Sequence, residues 1–109
     1  MLFRSGIDPL RAEVLDPRQI NLIWAAFSAT GDLRYVRKVV DYVHLYGEET
    51  DDAHAMIGEA AIMTLANNVL QHEAVAKLCD ELDNNHPDAK TRILLQTMLK
   101  ALAQIQKES

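Results

Sequence analysis

The nearest approach to a nucleophile and its base in this 109-residue chain is the single cysteine, Cys79, with His72 seven residues earlier. On a helix that spacing is two turns, so the side chains start about 10 Å apart along the axis, too far for the hydrogen bond that would activate the thiol. Cys79 also shares an apolar stripe with Val75 and Leu82, where a free cysteine serves as packing. For metal chemistry there is one short-range pair, Asp51 and His54, at the end of the acidic run Glu48, Glu49, Asp51, Asp52. Carboxylate-bridged sites in bundles need matching acids on the facing helices, and those are missing, so the run reads as a helix start whose acids suit the dipole. Asp80, Glu81, Asp83, Asn84, Asn85 and Asp88 gather oxygens as a calcium loop would, but without its alternation, central Gly or final Glu, and with Pro87 interrupting. They read as a polar interhelical loop. Phosphate-cradling loops, zinc-hydrolase helices and triad signatures do not occur. No catalytic, cofactor-binding or metal-binding residue is therefore assigned.

One acid stays open. Glu59 is the single interior charge of a segment, Ala53 to Leu70, that is apolar almost all round. A buried carboxylate is costly unless paired or neutralised. Glu59 therefore sits where this helix surfaces, or meets an arginine such as Arg34 or Arg37, or belongs to a site.

The elements that would position these residues are helices, and their start signals are clear. Asp16-Pro17-Arg18-Gln19 sets an acid at the N-cap, proline at the first helical position and Gln at the third. Ile20, Ile23, Trp24 and Phe27 follow at one-face spacing. Thr30-Gly31-Asp32 ends that helix and caps the next, predicted over Leu33 to Tyr46 with its stop at Gly47. Thr50 opens a segment running to about Leu70, Val75 to Leu82 marks a further helix, and His86-Pro87-Asp88 starts the last, to about Gln106. Strand-period stretches are absent. The expectation is one all-α domain over 1–109, a bundle of about five helices built from hairpins. Residues 1–15 form an arm or short helix and 16–106 the core. Starts at Asp16, Thr50 and His86, 34 and 36 residues apart, also admit a short helical-repeat reading.

Helical faces divide the work. On Leu33 to Tyr46 the apolar arc runs through Val36, Val39, Val40 and Val43 to Tyr35, Tyr42 and Tyr46, opposite a basic patch of Arg34, Arg37 and Lys38. The tyrosines are either a core rim with hydroxyls reaching water or a partner-binding edge. The Ala53 to Leu70 segment, rich in small residues including Gly58, Ala60, Ala61 and Ala66, is the central helix. The last helix carries Leu94, Leu95, Met98, Ala101, Leu102 and Ile105 on a wide arc, with Ile93 stranded on the polar side. Thr91, Leu95, Met98, Leu102 and Ile105 follow heptad spacing, so a second copy could pack there.

Composition narrows the function classes. A net charge of −5 argues against a protein that grips nucleic-acid phosphates. No apolar run approaches the roughly 18 residues of a membrane span, and the first eight residues lack a signal-peptide core, so the expectation is a cytoplasmic protein. The single cysteine excludes an intramolecular disulfide. Acidity is segregated: Gly47 to Asp88 holds ten acids and one lysine.

WAAFSATGD (Trp24 to Asp32) and IGEAAIMTLANNVLQHEAV (Ile57 to Val75) together resemble an uncharacterised bacterial family of small helical proteins. In that family a W-x-x-F-F-A-T-G-D hairpin precedes an A-x-W-S-L-x-S-N-A-x-Q-H segment. The resemblance spans roughly Pro17 to Leu82, with departures at Ser28, Met63 and Thr64. It implies a helical fold and no particular activity, so no catalytic residue carries over. Thr30, Gly31 and Asp32 suit an interhelical turn, and Asn67, Asn68, Gln71 and His72 suit a helix end and the next start.

These features favour a non-catalytic protein–protein interaction module, an adaptor, regulator or inhibitor that self-associates as a homodimer and meets another protein with a basic surface. Neither nucleic acid nor membrane is an expected partner. Its expected interface residues are Tyr35, Tyr42, Tyr46, Arg34, Arg37, Lys38, Ile93, Leu95, Met98 and Leu102. The alternative is a small enzyme or ligand binder with a pocket around Glu59, His54 or His72.

Overall fold

Helix starts follow the acids. The computed structural model describes residues 9–47 and 52–108 and contains α1 (Pro17–Thr30), α2 (Leu33–Val40), α3 (Asp52–Val69), α4 (Glu73–Asn85) and α5 (Ala89–Glu108), with a 3₁₀ turn at Val43–Leu45. Asp16 caps α1 by accepting from the Arg18 N–H at 2.8 Å, and Asp32 caps α2 by accepting from the Arg34 N–H at 3.0 Å. Each arginine also folds its guanidinium back onto the capping carboxylate, and these side-chain hydrogen bonds hold both aspartates below the ordinary carboxylate range. Gln19 reaches back one residue further than a capping box requires. Its side chain accepts from the Leu15 N–H and donates to the Glu13 carbonyl, tying down the segment before α1. Gly31, at φ 71°, closes α1 in the left-handed conformation. Asp88 caps α5 through the Thr91 N–H and hydroxyl, both at 2.8 Å. Met1 to Asp8, Thr50 and the run Glu48, Glu49, Asp51 lie outside the described residues.

The fold is the all-α bundle expected from the sequence, and among the described residues there is no strand. Hairpins α1–α2 and α4–α5 flank α3, which packs against α1, α2, α4 and the 3₁₀ turn. Ile20, Ile23, Val36, Val39, Ile57, Leu65, Val75 and Leu95 are fully or almost fully buried in the single core they share. Among the described residues no helix is long and apolar enough to cross a membrane.

The helix predicted over Leu33 to Tyr46 is shorter than expected. It ends at Val40, and the chain tightens into i−3 bonds: Asp41 N–H to the Lys38 carbonyl, Tyr42 N–H to Val39, Leu45 N–H to Tyr42 and Tyr46 N–H to Val43. The reason lies across the bundle. A Cβ on Gly58 of α3 would fall inside the backbone at Leu45 and Tyr46, so the 3₁₀ turn lies directly on the α3 backbone where only glycine admits it.

Candidate functional site

A helix apolar all round wants cover all round, and α3 does not have it. Met56 and Met63, two turns apart, are 57% and 52% exposed, and Glu59 lies exposed between them. The gap arises because α5 packs on α4 and the 3₁₀ turn and barely meets α3. It is a groove of about 430 Å³ lined by Tyr46, Glu59, Ile62, Met63 and Ala66 on one side and by Leu94, Thr97, Met98 and Ala101 on the other. A shallower hollow over Met56, Glu59, Ala60 and Met63 continues it along α3. Of the three placements open to Glu59, the structure selects the surface: the carboxylate stands at the rim of an apolar groove.

The expected interface residues divide between two places. Tyr46 and Met98 line the groove, with Ile93 exposed one turn before Thr97. Leu95 is fully buried and Met98 nearly so, because α5 turns Thr91, Leu95 and Met98 into its own core. The heptad Thr91, Leu95, Met98 is thus not an exposed seam. Leu102 is half-buried beside α4, in a second depression with Leu70, Ala76 and Leu99.

Tyr42, Arg34, Arg37 and Lys38 lie elsewhere. With Arg11, Glu13, Asp41 and His44 they line an open cleft of about 650 Å³ between α2 and residues 10–13. Part of its charge is committed to holding the chain. The Lys38 ammonium donates to the carbonyls of Pro9 and Ala12, Arg34 forks onto Asp32, and the Tyr42 hydroxyl accepts from the Val14 N–H at 3.4 Å. Tyr35 and Tyr42 are half-buried against the core, as rim residues.

The residues of the alternative pocket do not converge. His54 is exposed in the first turn of α3 and His72 stands beyond its other end, more than about 22 Å away along the axis. The His72 ring meets Phe27 edge-on at 6.1 Å and Trp24 at 6.5 Å, and Trp24 meets Phe27 at 5.0 Å. The two stretches that carry the family resemblance are therefore packed on each other through Trp24, Phe27 and His72. Cys79 is buried, and that burial, reinforced by the Asp83 charge, pushes its thiol up to about 12, the reverse of nucleophile activation. Oδ1 of Asp83 is buried without a hydrogen-bond partner. Among the described residues no three His, Cys, Asp or Glu side chains converge as metal ligands would.

One polar contact was not foreseen. His86, read from sequence only as part of a helix start, is buried. Its Nε2 lies 2.8 Å from Asp41 Oδ1, and its Nδ1 accepts the Asp88 N–H at 3.0 Å. It joins the α4–α5 corner to the end of α2. The Thr91 backbone N–H, then the Thr91 hydroxyl, hold the Asp88 carboxyl below the usual carboxylate range, with the charges of His44 and His86 adding to the effect. The H-P-D triplet carried the helix-start signal; nothing local marked Asp41 as the partner, 45 residues away. Comparison with family models, curated proteins and solved structures returns no match to this chain, which leaves its geometry to argue for its function.

Proposed function

We propose that the chain is a non-catalytic protein–protein interaction module, an adaptor, regulator or inhibitor, which binds an amphipathic helix in the α3/α5 groove. The observation that carries this is the uncovered face of α3, where Met56 and Met63 are more than half exposed beside a groove of about 430 Å³. Methionines at such a surface are adaptable and polarizable, suited to accept apolar anchors spaced one turn apart. Glu59 at the rim favours a basic residue on the incoming helix. The same preference is set more broadly by the exposed acids Glu73, Asp80 and Glu81 of α4, which draw a basic surface at long range.

The test is affinity capture with the full chain and with Met63→Glu, whose exposed position leaves the core intact. The native chain should retain a partner that the variant loses, while both give the same helical circular dichroism and, in dilute samples, the same melting temperature. Equal retention by the two would overturn the reading.

A further inference from the structure

In the groove just described, α5 is one wall and also carries a pattern that fits itself. Ile93, Thr97, Ala101 and Ile105 recur every fourth residue, all four exposed, with Ile93 at 61% and Ile105 at 57%; Thr97 and Ala101 line the groove, and the two isoleucines continue their row before and after it along the helix. Their order is large, small, small, large. Lys90 lies just before this stripe and Glu108 just after it, on the same side of the helix by the 100° step. Two such helices laid antiparallel and level at Leu99 bring Ile93 against Ile105 of the second copy, Thr97 against its Ala101, and Lys90 against its Glu108. Each pairing recurs by symmetry. The small residues fall at the crossing, where backbones approach most closely, and opposite charges fall at both ends.

We propose that the occupant of the α3/α5 groove is α5 of a second copy, related by a twofold axis level with Leu99. The proposal rests on the groove being a docking site and names its partner. A closed twofold uses the same patch on both chains, so each Met63 and Tyr46 wall is covered in one event and the contact closes on itself. The Glu108 carboxylate accepts from the Gln104 amide one turn earlier at 3.2 Å, an exposed bond on the helix surface. The basic face of α5, with Lys100 and Lys107 beside the stripe, stays at the rim in solvent.

Sedimentation equilibrium and cysteine pairing on the full chain test this together. Ile93→Cys and Ile105→Cys are exposed substitutions, and the native Cys79 is buried and silent. In the proposed register, mild oxidation of the two variants mixed gives an interchain disulfide. Either alone gives none, because its two copies stand about 18 Å apart along the axis. Lys90→Glu should weaken the dimer about tenfold, and Glu108→Lys added to it should restore the affinity. A chain that stays monomeric up to about 1 mM overturns the proposal. So does cross-linking of the single variants as readily as of the mixture. If the chain is monomeric while Met63→Glu still abolishes partner capture, the groove reading survives and only the second copy falls. If capture also ignores Met63→Glu, both fall.

Discussion

Cys79 is the clearest case of a residue whose chemistry is decided by its surroundings. Its place beside Val75 and Leu82 already argues for packing, and the structure adds the Asp83 charge near a thiol that burial has raised from 9.0 to about 12. Because the folded thiol binds its proton more tightly than the unfolded one, stability is untouched below pH 9 and falls as pH rises toward 12, where only the unfolded chain releases the proton. Denaturant midpoints measured between pH 8 and about 11 should therefore fall more steeply for the native chain than for Cys79→Ala, since lysine and tyrosine titrations are common to both. A thiol reagent at pH 8 should modify Cys79 only after unfolding. Parallel alkaline limbs, or rapid native-state labelling, would contradict the environment described. The sequence could place Cys79 on a stripe because the stripe is local. It could not place His86, because the carboxylate that meets it belongs to Asp41 on another element.

At the scale of the element, the 3₁₀ turn lays its backbone directly on α3 at Gly58. Gly58→Ala would ordinarily gain about 1 kcal/mol as a helix substitution. Here the new methyl meets backbone at Leu45 and Tyr46, which cannot swing aside as a side chain would. Steric cost exceeds the propensity gain, and a net loss of about 2 kcal/mol in chemical denaturation is expected. A neutral or stabilised Gly58→Ala would show that the turn does not rest on α3. This contact also explains which elements could be read beforehand. The caps at Asp16, Asp32 and Asp88 and the stop at Gly31 are written in adjacent residues, so helix starts were legible. The end of α2 was not, since Leu33 to Tyr46 keeps a helical pattern throughout and yields at Val40 to a demand set by Gly58. The groove was half legible. A helical wheel gives Ala53 to Leu70 as apolar all round, but whether a neighbour covers Met56 and Met63 depends on where α5 leaves the α4 surface. The same limit applies to α5, whose heptad is spent on its own core at Thr91, Leu95 and Met98 but not at Ile105, which stays outside with Ile93.

In the whole molecule, α5 is the outlier. Its 20 residues span about 30 Å in a body of 44 × 34 × 26 Å, and its buried side chains end at Met98. From Lys100 to Glu108 all but Leu102 are exposed, so the last turns of this helix rest on backbone hydrogen bonds open to water. Such segments open locally at little cost, whereas amides around Ile23, Val39 and Leu65, in helices buried on one another, exchange only when the core opens. Hydrogen exchange on a dilute sample should therefore show a steep fall in protection from Leu95 to the end of α5, at pH values where α1 and α3 remain protected. If a second copy covers this helix, the same amides gain protection as protein concentration rises. The gain approaches about 15-fold at a total protein concentration about 100 times the dimer dissociation constant, where free monomer is down to about 7 times that constant. The basic cleft beside Arg37 lies on other elements and should show no change of its own. End-of-helix amides as slow as those of α1 in dilute solution would mean that α5 holds itself rigid without the core, and the projecting helix would then be a finished element rather than half of a contact.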